Sequence, residues 1–145
     1  MTIFQRMPSL ALASFSGEIL LAILLPVAIV LAARHRGTNH HWLMLGIFLA
    51  DVVVFKTIMY VRAFSGAFGL FPFDNLIFVH MIVSWIWVIA GIATIYFAFK
   101  YRTVRKGRMF MLPKGQIHRL TGFIAAGSWY LAFLIGISVF IRYYS

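Results

Sequence analysis

The sequence contains no cysteine and only three acidic residues among 145. Without thiols it has no disulfides, no thiolate zinc or iron–sulfur ligands, no covalent c-type haem attachment and no cysteine nucleophile. Charged residues of both signs make up 11%, against roughly a quarter in a soluble domain. Hydrophobic residues make up 63%. So few polar groups cannot cover a water-facing surface, so an integral membrane protein is expected, with residues 1–145 forming one unit. Enzyme signatures are missing as well: there is no Walker loop, dinucleotide fingerprint, G-x-S-x-G or H-E-x-x-H. Asp51 has no second carboxylate near it in sequence, so acid–base hydrolysis lacks machinery and no catalysis on a substrate is expected. The opening "MTIFQRMPSLALASFSGE" reads poorly as a signal peptide, because its apolar stretch follows the small-residue "ALAS".

What is present is four long apolar runs. They fall near Ser14–Ala33, Trp42–Val61, Leu76–Phe99 and His118–Ile141, each about the 20 residues a membrane-spanning helix needs. Backbone groups in lipid must pair internally, and runs this long without alternation rule out a barrel. The expected fold is therefore an all-α four-transmembrane-helix bundle. Pro26 should loosen or kink the first span.

The formal charge of +10 sits between the spans, as in cytoplasmic loops beside anionic lipid, and does not call for nucleic acid. Arg34 and Arg36 follow span one. "FKYRTVRKGRMF", Lys114 and Arg119 separate spans three and four. The opposite side has only Arg6, Arg62 and Arg142. By the positive-inside rule both termini lie on the outer side of a bacterial inner membrane.

Ionisable residues within spans carry most of the information. On span two, His40, Asp51 and Arg62 are spaced by eleven, about three helical turns, and share a stripe with Met44. A stripe with Asp51 near the bilayer middle should face the bundle interior. His41 is turned about 100° away, toward the interface. Lys56 is off the stripe by roughly 140°; it either snorkels outward or pairs with Glu18. On span three, His80 is followed on its face by Ser84, Trp87 and Gly91. On span four, His118, Gly122, Ala125, Ala126, Trp129, Ala132 and Gly136 form one broad face. Such small residues allow close helix approach or leave room for a flat ligand.

Depth sorts these histidines. His40 and His118 begin spans two and four at the inner surface, and His80 begins span three at the outer one. Two inward imidazoles at one depth suit axial ligation of a haem. They equally suit a copper or zinc site completed by Met44 or Asp51, or a copper site using His80 and Met81. Interfacial histidines bonded to loop carbonyls or lipid phosphates would look the same in sequence.

"HHWLMLGIF", "YVRAFSGAFGLF", "HMIVSWIWVIAG" and "HRLTGF…WYLAFLIGISVFI" together resemble the YozB-like family. These are small four-span bacterial membrane proteins of unknown function, often encoded near cytochrome oxidase assembly genes. The likeness runs from about Gly17 onward. It implies four histidines in an inner and an outer pair. His40, His80 and His118 match three of them; the fourth falls near Arg62 or Ala63, where this chain has no histidine. The inner pair, His40 with His118, is then the expected cofactor and metal site. His80 loses its partner, and Arg62 becomes a candidate for an anionic group such as a haem propionate. The resemblance also implies an association with a respiratory oxidase, as an assembly factor or accessory subunit. The expected function is a b-type cytochrome-like or haem-handling protein. The alternatives are a non-catalytic subunit packed on a larger membrane complex and, less favoured, copper handling.

Overall fold

The computed structural model describes residues 9–34, 37–57, 75–105, 108–111 and 115–144. The chain forms α1 (Ser9–Ala33), α2 (Gly37–Leu49) running on into a π-helical segment (Ala50–Lys56), α3 (Asn75–Tyr101), a hairpin of β1 (Arg102–Arg105) and β2 (Arg108–Met111), and α4 (Gln116–Tyr144). Three stretches, Leu12–Ala33, Asn75–Tyr101 and Gln116–Arg142, are long and apolar enough to cross a bilayer, with mean hydropathies of 2.4, 2.3 and 2.0. The chain is thus a multi-pass helical membrane protein. The second expected span, Trp42–Val61, corresponds to α2 and the π segment, and its last residues, 58–61, lie outside the described residues. The basic connection after α3 is more than a charged loop. It pairs antiparallel, Arg102 opposite Met111 and Arg105 opposite Arg108.

Large apolar side chains point outward all along the helices, among them Ile23, Ile89, Phe123 and Leu134. That is the surface a lipid solvent demands. The interior is made of Leu21, Leu25 and Ala28 from α1, Ile47 and Phe48 from α2, Trp87 from α3, and Ala125, Ala126 and Trp129 from α4. α3 packs most extensively on α4, and α1 on α2, so the chain is two helical hairpins laid together. The small residues of α4 let α3 approach closely. Gly91 on α3 gives space to the Phe48 ring: a Cβ there would stand 2.7 Å from Phe48 Cδ2.

Pro26 does not interrupt α1, which is helical throughout. Proline has no N–H, so the carbonyl of Ala22, four residues earlier, loses its helical donor. The hydroxyl of Tyr130 on α4 donates to that oxygen at 3.0 Å.

The π segment corrects the expected position of Lys56. In α geometry Lys56 lies well off the Asp51 stripe. A π turn closes i→i+5 hydrogen bonds, so residues five apart come nearly into line. Lys56 Nζ accordingly lies 3.7 Å from Asp51 Oδ1 and 3.4 Å from Glu18 Oε1. The Glu18–Lys56 pair is formed.

Candidate functional site

At the end of the bundle where α2 and α4 begin, the rings of His40 and His118 stand with centroids 6.4 Å apart, at an interplanar angle of 80°. His40 Nδ1 is 2.8 Å from the carbonyl oxygen of Ala28 on α1. His118 Nδ1 is 3.1 Å from the carbonyl oxygen of Thr94 on α3. A carbonyl can only accept, so each Nδ1 carries the hydrogen. In the neutral ring that leaves the Nε2 lone pair free, which is how imidazoles are oriented for a metal. The two histidines expected to form the inner pair are therefore neighbours, and their partners are helix carbonyls, not loop carbonyls.

His41 belongs to the same cluster, contrary to its expected turn toward the interface. Its ring stacks on that of His118, 5.6 Å between centroids at 7°, and lies 5.3 Å from that of His40. Helical phase does separate the two adjacent histidines, but the site is wide enough to take both. Nδ1 of His41 donates to Gly37 O one turn back, and its buried Nε2 has no hydrogen-bond partner among the described residues.

The three rings line a cavity of about 610 Å³. Its walls are mostly apolar: Ile29, Met44, Ile95, Phe99, Phe123 and Ala126 contribute, with Gly122 keeping the α4 side open. Two cations also line it, Arg102 and Arg119. The guanidinium of Arg102 lies over the Phe99 ring, 4.3 Å from its centroid. Both arginines read in sequence only as membrane-topology charges; their role as cavity walls depends on α3 ending, and α4 beginning, beside the histidines.

The other expected site residues lie elsewhere. His80 is about 21 Å along α3 from Thr94, at 1.5 Å per residue. Its Cε1 would be 3.2 Å from a Cβ placed at Gly136 on α4. Asp51 is fully buried, and its Oδ2 accepts from Trp87 Nε1 at 2.5 Å. It is committed to Trp87 and Lys56, so it does not complete a metal site with His40. Arg62 lies outside the described residues. Among the described residues no group of three or more His, Asp or Glu side chains is arranged to hold a metal ion.

Fold and site together define a helical membrane protein with a histidine-lined, largely apolar cavity at one end. No family model, curated protein or solved structure matches the chain.

Proposed function

We propose that the chain is a haem-handling or b-type cytochrome-like membrane protein whose ligand site is the His40–His118 pair. The single observation that carries the reading is the pair itself. Both imidazoles are held through Nδ1 by carbonyls of neighbouring helices, with their rings 6.4 Å apart at a cavity of about 610 Å³. One metal atom bonded to both Nε2 atoms at about 2 Å needs ring centroids roughly 6 Å apart. The apolar walls suit a flat macrocycle, and Arg102 and Arg119 suit its carboxylates. Bound there, haem would supply one-electron chemistry. The chain's own residues would hold and orient it and keep water from its faces.

The wider setting belongs to the same proposal. α2 with the π segment forms a fourth span, both termini lie on the outer side, and the membrane is a bacterial inner membrane. The excess of lysine and arginine in the two connections on the histidine side supports that orientation. The resemblance to the YozB-like family supports a place beside a respiratory oxidase.

Visible absorption of the purified protein after haem addition is the test. A Soret band with low-spin features is expected, and it should be lost in His40→Ala and His118→Ala. A wild-type protein that binds no haem overturns the reading and favours an accessory subunit that packs on a larger complex, which co-purification in mild detergent would reveal.

A further inference from the structure

Far from the histidine cavity, at the opposite end of α2 and its π extension, three ionisable side chains meet inside the apolar bundle. Lys56 Nζ lies 3.4 Å from Glu18 Oε1 and 3.7 Å from Asp51 Oδ1. All three are poorly accessible: the side chains of Lys56, Glu18 and Asp51 are 14%, 15% and 0% exposed. With every group ionised, two carboxylates face one ammonium, leaving one net negative charge in a medium that penalises charge heavily. A single added proton makes the cluster neutral.

The hydrogen bonds indicate where that proton sits. Asp51 Oδ2 already accepts from Trp87 Nε1, and such a bond favours the ionised carboxylate. Asp51 Oδ1 is buried and has no hydrogen-bond partner among the described residues. A carboxylate oxygen left so is costly, and a hydroxyl donor beside it would relieve the cost. Glu18 is the neighbouring group able to carry one, because its Oε1 shares the Lys56 ammonium with Asp51 Oδ1. α3 also contributes His80, which adds nothing to the charge count while neutral. α4 faces His80 with Gly136, which has no titratable group.

We infer that Glu18, Asp51 and Lys56 form a one-proton site within the membrane, with Glu18 carrying the exchangeable proton and Asp51 remaining a carboxylate held by Trp87 and Lys56. The ligand is a proton, and the chemistry is that of a proton relay. The bond formed is O–H on Glu18 and no electrons move. The π segment is what makes the site, because it brings Lys56 into line with Asp51. The inference is independent of haem binding.

Infrared difference spectroscopy of the full-length protein in lipid, titrated with pH, reads protonated carboxyls directly by their C=O stretch. Wild type is expected to show one such band at neutral pH. Glu18→Gln and Asp51→Asn each leave one carboxylate beside Lys56, so the band should vanish in both. Lys56→Met removes the cation, so charge neutrality requires a second proton and the band area should rise about twofold. His80→Gln should leave the band area unchanged. The wild-type titration decides even where a variant fails to fold. No protonated-carboxyl band at any pH at which the protein stays folded overturns the inference. So does a band that survives both Glu18→Gln and Asp51→Asn. A band that sodium removes at constant pH overturns it in favour of a cation site.

Discussion

Tyr130 on α4 donates its hydroxyl to the carbonyl of Ala22 on α1, the carbonyl that Pro26 deprives of its helical partner. In lipid no water replaces a lost donor, so the tyrosine repairs what the proline costs. Tyr130→Phe should lower unfolding stability by about 1 kcal/mol. In a Pro26→Ala background, where residue 26 supplies its own N–H, the same change should cost much less. Equal losses in both backgrounds, measured by denaturant unfolding in detergent, would show that the two features are unrelated.

The Phe48 ring occupies the space that a side chain at position 91 would need. Gly91→Ala should destabilise the bundle by about 1–3 kcal/mol through overpacking. Adding Phe48→Leu should recover part of that loss. Thermal unfolding followed by helical circular dichroism checks both.

His40 and His118 should differ sharply from His41 as haem ligands. Replacing either of the first two with alanine should abolish the low-spin spectrum. His41→Ala should keep it with changed affinity, because His41 stacks against His118 without being held by a second helix. A spectrum lost only in the His41 variant would reassign the ligand.

Arg102 and Arg119 line the cavity without being needed for iron ligation. Arg102→Gln with Arg119→Gln should weaken haem binding several-fold. Binding of the haem dimethyl ester, which has no carboxylates, should be nearly unaffected. Equal weakening of both ligands in a binding titration would place the arginines outside the ligand's reach.

Three of the four expected spans are clear in the sequence, because apolar length alone decides what can lie in lipid. His40 and His118 are within reach of the sequence because each stands at the start of an apolar run and the expected topology gives both runs the same direction. Helical phase alone turns His41 away from His40, whereas a broad cavity takes residues 100° apart. Regular α geometry puts Lys56 off the Asp51 stripe, and nothing in "ADVVVFK" announces the π turn that brings it back. For Arg102 and Arg119 the sequence offers a sufficient simpler role as topological charges. The carbonyls of Ala28 and Thr94 have no sequence signal at all, since every residue has a carbonyl.

Each of those two carbonyls ties its histidine to a hairpin partner: α2 to α1 through His40 and Ala28, α4 to α3 through His118 and Thr94. Each hairpin thus carries one finished imidazole without help from the other, and only the seam between hairpins brings the two rings together. A ligand bonded to both would act as a rivet across that seam. The protein should then be divisible: two separately made halves, cut between residues 57 and 75, would hold their own shape and rejoin most firmly when the rivet is supplied.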